Sequence, residues 1–170
     1  MAETKSLDAI QLLKQDHREV EELFEQFEKA KGDGRKQKLA QQICLELSVH
    51  AMIEEEIFYP ACEGKVSEDD LKEAFVEHDA AKVLMTQIEA GDGQSDDFFD
   101  AKVKVLQEEI EHHVKEEESG KESIFSQARD AGLDLKSLGE QLATRKAELL
   151  EQFEATGLPK PELTTMEPAV

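Results

Sequence analysis

The chain has 170 residues, with 40 acidic residues against 20 basic ones, a formal net charge of −20, 39% hydrophobic residues, 5% aromatic residues and no Trp. That length suits one domain with a substantial core and is short for two. The charge argues against nucleic acid, whose phosphates need clustered Lys and Arg, and against an anionic membrane surface. The shortage of aromatic and β-branched residues argues against a sheet.

The opening "MAETKSLDAI" has no apolar run after a basic stretch, so no signal peptide is read there. No segment reaches the roughly 18 apolar residues of a membrane span. Cys44 and Cys62 would stand about 27 Å apart on one straight helix at about 1.5 Å per residue, too far to bridge. Both are expected to pack as free thiols, and the expected compartment is the cytoplasm.

Helices are predicted at about 7–30, 35–63, 67–90 and 96–128, with a fifth at about 135–155. The turn-rich "KGDG" (31–34), "EGKVSEDD" (63–70) and "AGDGQSDD" (90–97) separate the first four. Ser67 and Asp96 are the expected N-caps. "ESGKES" (118–123) is a softer interruption inside the fourth, and "GL" (132–133) precedes the fifth. Short connections make neighbouring helices antiparallel. The fold class is therefore all-α: an up-and-down four-helix bundle over residues 1–131, with an additional C-terminal helix over 132–156 packed on it. The tail 157–170, with Pro159, Pro161 and Pro168, is expected to be disordered.

Each bundle helix carries one apolar stripe, and each stripe contains a histidine. Helix one reads Ile10, Leu13, His17, Val20, Phe24, Phe27, and helix two reads Leu39, Ile43, Leu47, His50, Glu54, Ile57, Ala61. Helix three reads Leu71, Phe75, His78, Ala81, Met85, Ile88, and helix four reads Phe99, Val103, Leu106, Ile110, His113, Glu117. In "HHVKEEE" (112–118), His113 continues the stripe and His112 turns about 100° away from it toward solvent. Counted from the connecting loops, His17, His50 and His78 match in depth to roughly 3 Å, and His113 matches to roughly 7 Å.

A lone histidine in such a stripe is ordinarily a hydrogen-bonded core residue. Here four converge with Glu54 and Glu117, and burying two carboxylates without compensating charge costs several kcal/mol each, about what a cation could offset. Imidazole with carboxylate is the ligand set of zinc, manganese or non-haem iron, and copper and nickel stay open.

"DHREVEELF" (16–24), "HAMIEEEIFYP" (50–60), "EHDAAKVL" (77–84) and "HHVKEEE" (112–118) resemble the hemerythrin-like, or HHE cation-binding, domains over about residues 10 to 130. The resemblance implies a bundle around two iron ions with an oxo or hydroxo bridge. His17, His50, His78 and His113 would cap the pair, and Glu54 and Glu117 would bridge it. A ferritin-like bundle would show Glu-x-x-His where this chain shows His-x-x-x-Glu. Oxygen-carrying relatives place a further histidine four residues after the helix-three ligand, where this chain has Lys82. The under-ligated iron could be completed by water, by Glu21 or by Tyr59; alternatively Glu21 faces solvent and Tyr59 packs the end of helix two.

The ligands implied are dioxygen, peroxide or nitric oxide, with peroxide breakdown as a catalase-like activity. A metal- or gas-binding sensor without turnover is the alternative, and a metal-free polar seam is the third. The fifth helix carries Leu138, Leu142, Leu149 and Phe153 on one stripe, which docks on its own bundle or on a second copy, leaving a monomer or weak dimer.

Overall fold

The computed structural model describes residues 5–167, so the first four residues and the tail's last three, Pro168 included, lie outside it. Among the described residues every regular element is helical. Helix α1 (Ala9–Lys29) opens with a reciprocal cap: the Gln11 N–H donates to Asp8 Oδ1 at 2.9 Å, and the Asp8 N–H donates to Gln11 Oε1 at 3.1 Å. Helix α2 (Asp33–Ile53) runs through a π-helical turn, Glu54–Phe58, into the short α3 (Tyr59–Cys62). Helix α4 (Glu68–Ala90) starts on the expected Ser67 cap. Helix α5 (Phe99–Glu118) begins three residues later than expected, because Asp96 spends one oxygen on the Phe98 N–H and the other on Lys102. These helices pack as antiparallel neighbours into a four-helix bundle.

The π turn corrects the helix-two stripe. One extra residue in the turn advances the phase, so Phe58 and Cys62 are buried where Ile57 and Ala61 were expected, and Tyr59 is carried inward with them. Pro60 supplies the cause: it has no N–H to donate, and its ring crowds the carbonyl four residues back.

The helix predicted over 96–128 is broken. Gly120 at φ +87° ends α5, Ser123 caps a new helix α6 (Ile124–Asp130), and the chain turns across the open end of the bundle. There Phe125 stacks on His17 with ring centroids 5.9 Å apart and meets Phe58 edge-on at 5.6 Å. Two apolar clusters result. One holds Leu13, Ile53, Phe58, Ala74 and Phe125, the other holds Val20, Leu47, Ala81 and Leu106, and the histidine layer lies between them.

Helix α7 (Leu135–Thr156) lies on α1 and α2 with Leu138, Leu142, Leu149 and Phe153 buried. It passes close to the α1 start: a Cβ on Gly139 would stand 2.8 Å from the Asp8 carbonyl carbon and 2.9 Å from the Ala9 nitrogen. Gly139→Ala adds about 1 kcal/mol of helix propensity, yet the overpacking costs about 1–3 kcal/mol. A lowered melting temperature is therefore expected, and an unchanged or raised one would show that the two helices can part without penalty.

Residues 157–167, expected as part of a disordered tail, have no regular secondary structure but lie against α4. The N–H groups of Thr164, Thr165 and Met166 all donate to the buried Asp79 carboxylate at 2.5–3.1 Å, and Lys82 Nζ donates to the Glu162 carbonyl at 3.0 Å. No helix among the described residues is long and apolar enough to cross a membrane.

Candidate metal centre

The four stripe histidines and both glutamates come together in one buried layer, each 6% exposed or less. His17 Nε2 and His50 Nε2 face each other at 3.1 Å, and His78 Nε2 and His113 Nε2 face each other at 3.2 Å. Glu54 Oε1 touches His50 Nε2 and lies 3.9 Å from His78 Nε2. Glu117 Oε1 lies 2.5 Å from His113 Nε2 and 3.8 Å from His17 Nε2. Each carboxylate thus spans from one imidazole pair to the other. Donor atoms of His17, His50, Glu54 and Glu117 lie within 4.8 Å of one another, and so do those of Glu54, His78 and His113.

The outer imidazole nitrogens meet carboxylates that the stripe reading missed. His50 Nδ1 is 2.9 Å from Asp16 Oδ2, and His113 Nδ1 is 3.0 Å from Glu77 Oε1. His17 Nδ1 lies 3.4 Å from Glu118, and His78 Nδ1 lies 3.9 Å from Glu55, both outside hydrogen-bond geometry. The signal was in the motifs: Asp16 and Glu77 precede His17 and His78, while Glu55 and Glu118 follow Glu54 and Glu117. A proton on Nδ1 turned to a carboxylate leaves the Nε2 lone pair pointing inward. Two lone pairs facing at 3.1–3.2 Å repel unless a proton or a cation lies between them.

The carboxylates make the same demand. All four oxygens of Glu54 and Glu117 are buried without a hydrogen bond, despite their close approach to imidazole nitrogens. Burial and the neighbouring Glu54 push the Glu117 carboxyl up to about 8, while His50 and His78 hold Glu54 well below its usual range against the effect of burial. Burial lowers the His50 imidazole, but Glu54 and Asp16 outweigh it and carry the group up to about 10. His113 is raised in the same way, by Glu117 and Glu77 against burial, whereas burial prevails at His17 and His78 and lowers both. The donor set fits a cation: two imidazoles bound side by side to one first-row ion at about 2.1 Å stand about 3.0–3.4 Å apart.

The remaining predicted residues separate. Tyr59 is in the layer, its Oη 3.4 Å from both His78 Nε2 and His113 Nε2. Glu21 is outside it, partly exposed and paired with Arg18 at 3.4 Å. His112 is 57% exposed, as expected, and its Nε2 is 3.2 Å from Glu77 Oε2. Lys82 turns from the layer to Glu55 Oε1 at 2.9 Å, fixing the carboxylate behind His78. Cys44 and Cys62 are free and buried, and burial pushes both thiols up to about 12.

The sequence model of the Hemerythrin HHE cation binding domain matches residues 8–120. A DNA nickase of Nostoc sp. (strain PCC 7120) is 30% identical over 119 residues; the match takes in 70% of this chain and 33% of the nickase, so the chain spans about a third of that relative. Among solved structures, a hemerythrin HHE cation-binding domain-containing protein of Mycobacterium kansasii matches with a TM-score of 0.69 at 20% identity, over 89% of this chain and 95% of that one. This last likeness speaks for the fold, while the sequence match runs through all four histidine motifs. The chain belongs to the hemerythrin HHE cation-binding domain family.

Proposed function

We propose that the buried layer holds two iron ions and that the protein binds and breaks down a small oxidant, peroxide or dioxygen. His17 and His50 would serve one ion and His78 and His113 the other, with Glu54 and Glu117 shared. Tyr59 Oη, next to the second pair, would complete the half of the site where Lys82 replaces an expected histidine. Glu21 drops out of that role because its side chain is on the surface. Other first-row metals suit the same donors.

The observation that carries the reaction is a small apolar cavity against the layer. It holds about 30 Å³ and is bounded by all four histidines together with apolar side chains such as Leu47 and Met85. One water needs roughly 10–15 Å³ of such space, so the cavity admits a ligand of two or three heavy atoms and excludes organic substrates. Iron, when bound, supplies electrons to such a ligand and takes them back. The protein holds the imidazoles in register through Asp16 and Glu77 and keeps bulk water from the apolar side. Peroxide breakdown needs no co-reactant: one molecule is oxidised to dioxygen, releasing two electrons and two protons, and a second takes them up to give two waters. The nickase named among the relatives is about three times as long, and a chain of net charge −20 is poorly suited to DNA phosphates, so no nucleic-acid role is proposed.

Protein produced with ample iron and kept from chelators should contain about two irons per chain by mass spectrometry. It should disproportionate peroxide, and His113→Ala should abolish the activity. Two irons with no peroxide consumption, but with dioxygen taken up and released on evacuation, would mark carriage or sensing. No metal after anaerobic ferrous addition would leave a metal-free polar layer and end the proposal.

A further inference from the structure

We infer that Glu73, Glu77 and His112 form an outer divalent-cation site at the mouth of an acidic passage that loads the buried centre. This rests on the reading of that centre as a metal site.

Each of the four carboxylates behind the histidines has a partner on its outer side, and one of these partners differs in kind. Lys146 Nζ lies 2.6 Å from Asp16, Lys82 Nζ lies 2.9 Å from Glu55, and Arg18 pairs with Glu118. These three approaches to the centre are closed by fixed positive charge. Behind His113, among the described residues, the outer oxygen of Glu77 meets only the exposed imidazole of His112, which a cation can use as a ligand. One donor atom each from Glu73, Glu77 and His112 lies within 4.8 Å of the other two.

Glu73 and Glu77 also line a cavity of about 120 Å³. Asp70, Glu116 and Glu122 line it with them, no Lys or Arg among the described residues does, and the buried His113, Glu117 and Ile124 complete its wall. Glu117 is 0% exposed, and neither of its oxygens makes a hydrogen bond. A carboxylate of the centre is thus reached from the surface through a wall of one sign of charge, the arrangement that concentrates cations and speeds their association. The interruption at 118–123 shapes the mouth: Gln127 Nε2 ties the Glu122 carbonyl at 2.6 Å to Asp70 Oδ2 at 2.8 Å, holding the turn beside α4. The apolar cavity opens elsewhere on the layer, so metal and small ligand would have separate routes.

The test uses Glu73→Gln/His112→Gln, which leaves Glu77 and all six buried donors in place. Anaerobic stopped-flow mixing of ferrous iron with metal-free protein should show uptake slowed at least about tenfold, with the same final iron content. Substoichiometric Mn²⁺ added to the full chain should broaden the His112 ring resonances in NMR spectra, and do so markedly less in Glu73→Gln. Equal uptake rates in parent and variant would remove the loading role, and unbroadened His112 signals would remove the outer site. Should the parent take up no iron while Mn²⁺ still broadens His112, the outer site stands as a cation site and the buried centre's assignment fails by itself.

Discussion

The melting temperatures of metal-free and metal-loaded protein should draw apart as the pH rises from about 7 to 9. In the metal-free protein His50 is raised from 6.5 to about 10, so its stabilising contribution is complete below 6.5 and is lost as the pH climbs through 10. His113, also raised, acts with the same sign. Glu117 is raised from 4.5 to about 8, so the folded protein holds an extra proton across that window and loses stability with rising pH. The opposing groups have finished titrating by then. Glu54, held well below 4.5, contributes steadily above that value, and the lowered His17 and His78 complete their gain by about pH 6.5. Each extra bound proton is worth at most about 1.4 kcal/mol per pH unit, so the metal-free protein should lose on the order of 1–3 kcal/mol per unit. Cations replace those protons, so binding releases them and strengthens with pH. Thermal melts with chelator and at fixed free ion concentration, at pH 6, 7, 8 and 9, read the gap directly. Parallel curves would mean that these protons and the cation do not compete for the same atoms.

What could be read from the sequence was what depends on periodicity. His17, His50, His78 and His113 each occupy a stripe position, a helix of ordinary pitch turns that position inward, and the structure brings all four into one layer. Where the pitch changes, the reading slipped by one residue: the π turn at Glu54–Phe58 put Phe58 and Cys62 where Ile57 and Ala61 had been expected. Asp16, Glu55, Glu77 and Glu118 were illegible for another reason. Each lies beside a residue of the layer in sequence yet turns to a histidine on a different helix, and a stripe belongs to one helix at a time. The same limit hid the tail, whose polar composition suggested disorder while its backbone donors converge on Asp79 some 85 residues earlier.

Lys82 shows how a departure from a motif can be read too simply. It removes an expected imidazole, but its ammonium reaches Glu55, Asp79 and the Glu162 carbonyl together. The carboxylate behind His78 and the tail are thereby held by one buried cation. An imidazole at that position would have stood on the His78–His113 side, where the π turn brings in Tyr59. A helix defect at one motif and a substitution at another therefore act on the same half of the layer.

Glu54→Gln and Glu117→Gln should be alike in iron binding and unlike in metal-free stability. The two residues occupy the same place in their motifs, four after a histidine, and each spans from one imidazole pair to the other. Either amide removes a shared anionic donor, so both variants should bind iron at least about a hundredfold more weakly, beyond the roughly 10–100-fold effect of losing a supporting group. Without metal, however, their charges differ. Glu54 is ionised and compensates the raised His50, so its amide leaves a buried imidazolium short of a partner, at a cost of roughly 3–5 kcal/mol. Glu117 keeps its proton in the folded protein up to about pH 8 while the unfolded chain loses it above 4.5, and glutamine, nearly isosteric with the protonated acid, carries no such cost, so Glu117→Gln should be at least as stable as the parent at pH 7. The advantage of Glu117→Gln over the parent should grow from about pH 4.5 to 8 and level off above 8, where Glu117 is ionised in both the folded and the unfolded parent. Urea unfolding of both variants in chelator at pH 7 and 9 separates the cases. Equal losses would mean that the two carboxylates share one proton evenly, in which case the difference between them arises only when metal is bound.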